Sequence, residues 1–178
     1  MDRQTVLNKA SMIETVGCGP DEAAWLYDMA SQCESVVEVG CWKGKSTFVL
    51  AQACKGQVYA VDHFKGSMSE INDACAEAKE GKIYEIFMKN VSECDNLTVY
   101  RDDSILASKH FADKSIDMIY IDADHDYECV LSDFKAWLPK CKKLFTGHDT
   151  HFPGVVKALN EMGLKWERGA GSMWKVEL

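Results

Sequence analysis

Val36-Val37-Glu38-Val39-Gly40-Cys41-Trp42-Lys43-Gly44-Lys45-Ser46-Thr47 is the stretch on which the reading of this chain turns. A short β-branched run holds an acid, a first glycine turns the chain, and a second glycine opens a helix. An apolar strand running into a glycine loop and then a helix N-terminus is the nucleotide-side half-site of an α/β sheet. The next apolar run, 57–61, is followed by Asp62. That is about the 20-residue distance at which an acid reaches a ribose hydroxyl. The two features together predict a binder of an adenosine-containing cofactor.

Three loop types compete for the glycines. The dinucleotide fingerprint needs Gly-x-Gly-x-x-Gly, so that backbone can close on a pyrophosphate. Its second glycine falls on Trp42, which argues against NAD or FAD. A P-loop needs Gly-x-x-x-x-Gly-Lys-Ser/Thr. Gly44-Lys45-Ser46 satisfies its end, but the opening glycine falls on Val39. The third form, Glu-x-Gly-x-x-x-Gly, needs no pyrophosphate cradle and fits Glu38, Gly40 and Gly44.

Apolar runs and turn residues alternate along the rest of the chain. Gly19-Pro20-Asp21-Glu22 reads as a helix start, with a helix over 23–30. Strands are predicted at 35–39, 57–62, 97–101, 115–122 and 144–147, and helices at 44–54, 103–111, 127–138 and 153–162. Ser67-Met68-Ser69-Glu70 has capping-box form and opens a helical region to about residue 90. Residues 164–168 and 172–177, joined by Gly169-Ala170-Gly171, read as a hairpin. The alternation predicts an α/β chain: a doubly wound, Rossmann-like sheet, mostly parallel, of seven strands with a C-terminal antiparallel hairpin. It reads as one domain over 1–178, with an N-terminal helical cap at 1–32 and the core at 33–178.

The 178 residues are 47% hydrophobic with net charge −8. A chain of that size buries about 70% of its unfolded surface. The acidic balance argues against a nucleic-acid partner. The opening Met1-Asp2-Arg3-Gln4 leads into no apolar signal core, and no segment approaches membrane-spanning length. The eight cysteines show no Cys-x-x-Cys spacing. Scattered thiols of this kind suit a reducing, cytoplasmic compartment. Homo-oligomerisation is left open by the sequence.

Glu38-x-Gly40-x-x-x-Gly44-x-Ser46 resembles the first motif of the class I S-adenosylmethionine-dependent methyltransferases, in the form found in the cation-dependent O-methyltransferases of the caffeoyl-CoA and catechol types. Ile121-Asp122-Ala123-Asp124-His125-Asp126-Tyr127-Glu128 is similar to their Asp-Ala-Asp segment. It is closer to small bacterial relatives carrying Asp-x-Asp-His-x-Tyr-Glu, which also place His-Asp after strand five, as His148-Asp149 does here. The resemblance covers roughly residues 30–178. Pro139-Lys140-Cys141-Lys142-Lys143 departs from the usual Pro-Gly-Gly turn before strand five.

The resemblance implies S-adenosylmethionine as cofactor and a small-molecule methyl acceptor, with an oxygen as the accepting atom. Gly40 is expected to let backbone pass close to the methionyl part, so that a side chain there would take the cofactor's place while leaving the fold. The helix opening at Gly44, with Ser46, offers donors to the cofactor carboxylate. Glu38 complements its amino group, Trp42 sits in the same loop, and Asp62 meets the ribose. Asp103-Ser104 takes the adenine side, Asp103 also reads as a helix N-cap, and Asp122 is expected to touch the cofactor as well. Asp122, His125, His148 and Asp149 come from strand ends that share one crevice. His125 and His148 are the candidate bases. Asp122, His148 and Asp149 are the candidate ligands of Mg²⁺ or another divalent cation. His63, His110 and His151 read as structural, and Trp137, Trp166 and Trp174 as packing residues.

Two other classes compete with this reading. A nucleotide-dependent phosphotransferase would use Lys45 and Ser46, with Asp122 on Mg²⁺. Arg3, Arg101 and Arg168 are the only arginines, few for a phosphate site. A non-catalytic cofactor- or partner-binding module would have no use for the clustered Asp and His residues at the strand ends.

Overall fold

Six consecutive residues, Ile116–Ile121, are all buried and form strand β4. Ile119 and Ile121 pack on one side with Phe134 and Trp137, while Met118 and Tyr120 pack on the other with Leu26 and Leu50. A strand apolar on both faces belongs in the middle of a parallel sheet with helices on each side. The computed structural model describes residues 1–15, 17–66 and 76–178.

The remaining strands are β1 (Ser35–Val39), β2 (Gln57–Val61), β3 (Leu97–Tyr100), β5 (Cys141–Gly147), β6 (Glu167–Arg168) and β7 (Trp174–Glu177). They form one seven-stranded sheet in the order β3-β2-β1-β4-β5-β7-β6. β1 to β5 pair in parallel, β7 runs antiparallel to β5, and β6 antiparallel to β7. Helices α1 (Arg3–Ser11), α2 (Pro20–Ala30) and α3 (Lys45–Ala53) cover one face. α6 (Ser104–Ser108), α7 (Tyr127–Trp137) and α8 (Pro153–Glu161) cover the other. α4 (Ala76–Lys79) and α5 (Ile83–Asn90) belong to a smaller cluster in which Ile83 and Phe87 pack with Phe64 and Cys41.

The chain winds outward from β1 through β2 to β3, then crosses back to place β4 on the other side of β1. This reversal opens a crevice at the carboxyl ends of β1 and β4. Pairing continues just past the strand ends. The Gly40 N–H donates to the Val61 carbonyl, Asp122 N–H to Val39, and His148 N–H to Ile121. Gly40, Asp122 and His148 are therefore level with one another across the sheet.

The seven-stranded, mostly parallel sheet with its antiparallel end is the fold expected from the sequence. Several boundaries differ for physical reasons. α1 had no clear signal, because only Val6 and Ala10 of its nine residues are buried. β5 begins at Cys141, since Lys142 and Lys143 turn outward to pair with the buried Asp117. The helical region before residue 90 is interrupted at Gly81, whose φ is +71°. The predicted capping box at 67–70 lies outside the described residues.

Gly40 takes a φ of +88°. A Cβ there would strike the Asp122 carbonyl oxygen and stand 2.8 Å from the Ala123 Cα. This corrects the expected reason for the glycine: the space a side chain would take belongs to the backbone after β4, not to a ligand alone. Gly40→Ala should therefore lose at least about 1–3 kcal/mol of stability through overpacking. Urea unfolding of the variant against wild type checks it, and an unchanged midpoint would contradict the close approach.

Candidate functional site

A cleft of about 890 Å³ opens at the carboxyl ends of β1, β2, β3, β4 and β5. Every residue expected at a site from the sequence lines it except Glu38. Its floor is the loop between β1 and α3. That loop is shaped by positive φ angles at Gly40, Trp42 and Gly44, of +88°, +46° and +85°. Asp62 latches it: one carboxylate oxygen accepts the Cys41 and Trp42 N–H groups at 2.9 and 2.8 Å, and the other accepts Phe64 N–H at 2.6 Å. A carboxylate has about four lone-pair sites. Asp62 therefore keeps acceptor capacity for a hydroxyl in the cleft while it holds the loop.

α3 starts at Gly44, which offers no side chain to cap it. The first N–H groups of a helix have no acceptor within the helix and favour an anionic group. A carboxylate, such as that of the cofactor expected from the resemblance, fits this end of the cleft. Ser46 lines it as well.

Glu38 is placed differently from expectation. It is 0% exposed and lies beneath the loop, where Oε2 accepts the Thr47 hydroxyl and Oε1 has no hydrogen-bond partner among the described residues. Burial pushes its carboxyl up to about 8, against the pull of the Ser46 and Thr47 hydroxyls. Glu38 does not line the cleft, so the expected charge complement is corrected to a buttress for the first turn of α3.

At the β3 side, Asp103 caps α6, accepting Ile105 and Leu106 N–H at 2.9 and 3.1 Å. Ser104 donates its hydroxyl to Asp133 at 2.5 Å and accepts the Trp137 indole N–H at 2.8 Å. Both expected residues border the cleft, but the Ser104 side chain already has two protein partners. Asp102 and Asp133, which the sequence reading passed over, line the same corner. Burial raises Asp133 to about 6.

The ends of β4 and β5 carry a cluster of acids and imidazoles. His148 Nδ1 lies 2.9 Å from Asp149 Oδ1 and 3.6 Å from Asp122 Oδ1. His148 Nε2 lies 2.9 Å from Glu22 on α2 and 2.8 Å from the Ser172 hydroxyl before β7. His125 Nε2 reaches the other Asp149 oxygen at 2.6 Å, and its ring stacks on Phe152 at 4.3 Å with planes 1° apart. Burial raises Asp122 to about 6, and Asp149 adds to the shift while His148 opposes it. Burial also works against the Asp149 charge, yet hydrogen bonds from His125 and His148 hold it well below the usual carboxylate range. Burial likewise disfavours the His148 cation, but Asp149, Asp122 and Glu22 outweigh it and carry its pKa up to about 10.

Among the described residues, Asp122, His148 and Asp149 each offer one ligand atom, and these atoms all lie within 4.8 Å of one another. Two carboxylates and an imidazole are a donor set for a divalent cation: the oxygens suit Mg²⁺ or Mn²⁺, and the nitrogen adds affinity for softer ions such as Zn²⁺. The residues present fit such an ion. His148, ringed by carboxylates, holds its proton at neutral pH and is corrected as a candidate base.

Glu22 and Ser172 were not anticipated as site residues. Glu22 had a signal only as part of a helix start. His63 lines the cleft, its Nδ1 accepting the Lys65 N–H at 3.0 Å. His110 instead stacks on Tyr100. No helix among the described residues is long and apolar enough to cross a membrane.

A sequence model of a family described as a methyltransferase domain matches residues 37–148, more than half of the chain. No curated protein sequence matches. Solved structures of similar fold include a SAM-dependent O-methyltransferase from Thermotoga maritima, at TM-score 0.67 and 15% identity over 97% of this chain and 70% of that one. An O-methyltransferase from Bacillus cereus in complex with SAH aligns at TM-score 0.62 and 15% identity, over 99% and 90% of the two chains. The O-methyltransferase TomG from Streptomyces achromogenes, involved in tomaymycin synthesis and solved with SAM, aligns at 0.66 and 12%, over 97% and 89%. At such identities the likeness is one of fold.

Glu38 gives a stability test. Its folded pKa of about 8 stands above the ordinary 4.5, so the folded state keeps a proton that the unfolded state releases between those values. The stability due to the neutral form is full below about pH 4.5 and is lost as pH rises toward 8. Glu38→Gln should remove that slope. Thermal unfolding should place the variant closest to wild type near pH 4 and most favoured relative to it near pH 8; a parallel pH profile for the two would contradict the assignment.

Proposed function

The chain belongs to the methyltransferase-domain family, and we propose that it transfers the methyl group of S-adenosylmethionine to an oxygen of a small molecule, with a divalent cation at Asp122, His148 and Asp149. The observation that carries the reading is convergence on one cleft: the uncapped start of α3, the loop latched by Asp62, and the acid–imidazole cluster after β4 and β5. A binding module needs the first two of these and has no use for the third.

The roles follow from chemistry and position. The N–H groups opening α3 receive the cofactor carboxylate. The remaining lone pairs of Asp62 accept a ribose hydroxyl, and the corner bounded by Asp102, Asp103 and Asp133 takes the adenine. The sulfonium already activates the methyl group, so the chief task of the protein is to hold donor and acceptor at near-attack distance. The methyl carbon leaves sulfur with the bonding pair staying on sulfur, and an oxygen lone pair forms the new bond. The acceptor hydroxyl must give up its proton, and His125 takes it. Asp149, bonded to His125, orients that ring and stabilises the imidazolium that forms. When bound, a divalent cation would lower the pKa of the acceptor hydroxyl. His148 would hold such an ion through Nδ1 and would give up any proton carried there. Thr15, Cys18, His151 and Phe152, which also line the cleft, would select the acceptor.

Calorimetry should register S-adenosylmethionine and S-adenosylhomocysteine and no heat from ATP or NAD. Binding of ATP with no response to either sulfur compound would return the P-loop reading. Once an acceptor is found, His125→Ala should slow turnover by about 10²–10⁴ with cofactor affinity retained. Single-turnover rates and a parallel titration with S-adenosylhomocysteine measure the two.

A further inference from the structure

Glu22 stands on the first turn of α2, far in sequence from the strand ends, yet its carboxylate is fastened into the cluster there. Oε1 accepts the Ser172 N–H at 3.0 Å and faces His148 Nε2 at 2.9 Å, while Oε2 accepts the Gly19 N–H at 2.7 Å. The backbone donors fix the carboxylate from two directions, so it cannot swing away from the imidazole without losing both. On the other side of the ring, Nδ1 faces Asp149 and Asp122 at 2.9 and 3.6 Å.

A metal-binding imidazole characteristically donates its second ring N–H to a carboxylate, which sets the ring orientation and the nitrogen left for the ion. The arrangement here has that form, with the outer carboxylate supplied by the N-terminal helix. We propose that Glu22 is the positioning residue of a divalent-cation site. By accepting from His148 Nε2, it turns Nδ1 toward the point shared with Asp122 and Asp149, and so governs affinity for the ion. The inference rests on the cation in the proposed function and extends it to a residue that touches neither cofactor nor ion.

Gly171 supplies an independent handle. Its φ is +56°, and a Cβ there would strike Glu22 Oε1 and stand 2.7 Å from Glu22 Cδ. The turn before β7 must be glycine for the Glu22 carboxylate to occupy its place. Gly171→Ala displaces that carboxylate while leaving every residue of the cluster unaltered.

The test is titration of the apo protein with Mn²⁺, followed by calorimetry, for wild type, Glu22→Gln, Glu22→Ala and Gly171→Ala, with thermal unfolding and S-adenosylhomocysteine affinity measured on each. Loss of an outer-shell partner typically weakens metal binding about 10- to 100-fold. That loss is expected for Glu22→Ala and Gly171→Ala, with a smaller one for Glu22→Gln, whose amide oxygen can still accept from Nε2. Affinity for S-adenosylhomocysteine should stay near that of wild type. A merely structural Glu22 would lower the unfolding temperature and leave the Mn²⁺ dissociation constant unchanged, which overturns the proposal. Should Glu22→Ala not fold, equal Mn²⁺ affinity in wild type, Glu22→Gln and Gly171→Ala overturns it in the same way. A wild type that takes up S-adenosylhomocysteine but no Mn²⁺ removes the cation from the proposed function and this inference with it. Wild-type Mn²⁺ binding with unaffected variants removes the inference alone.

Discussion

The contact on which the site depends is between two backbones. The turn after β1 presses against the chain leaving β4 so closely that no side chain fits at Gly40. Order reversal in a doubly wound sheet opens a crevice between those two strands, but the crevice is useful only if the loops at its lip leave it clear. Here the β1 loop folds back at Gly40, is held by the Asp62 carboxylate, and delivers Gly44 to the head of α3. The helix start and Asp122 then border one cleft. Of the five non-glycine residues with positive φ among those described, all but Lys114 gather at the same rim: Cys18, Trp42 and Asp149 line the cleft, and Phe64 is latched to Asp62. Such backbones persist only where surrounding structure over-determines them, and they tend to collect at functional sites.

The electrostatics of the strand ends are organised by contrast. Asp122 and Asp149 lie on adjacent strand ends, yet burial raises one to about 6 while imidazole partners hold the other well below the usual range. Asp149 pairs with both His125 and His148, at 2.6 and 2.9 Å. Asp122, backed by the Tyr120 hydroxyl at 2.9 Å, is the acid whose charge depends on what lies beside it. Glu22 completes the set from the opposite layer of helices.

What could be read from the sequence was what is local. Gly40 and Gly44 announced a strand-to-helix loop, the run before Asp122 announced a central strand, and the spacing to Asp62 announced its place at the same end of the sheet. The helix α1 left little trace, because a helix that buries two residues has almost no apolar stripe. Glu38 was legible as part of a motif but not as a buried acid, since exposure is a property of the packed layers. Glu22 was legible only as a helix-start residue. Its partners His148 and Ser172 lie 126 and 150 residues away, and no local pattern encodes a contact of that separation. The reason for Gly40 was hidden likewise, because the atom that excludes a side chain there belongs to Asp122, on another strand.

The hydrogen bonds that Glu22 accepts from Ser172 bear on the order in which the molecule is made. Synthesis is vectorial, and domains generally fold as units. β1 to β4 and the helices between them precede the hairpin in the chain. The carboxylate of Glu22 must wait for residues 171 and 172 before its second fastening exists. The acid–imidazole cluster after β4 and β5 thus has all its fastenings only when β7 closes against β5.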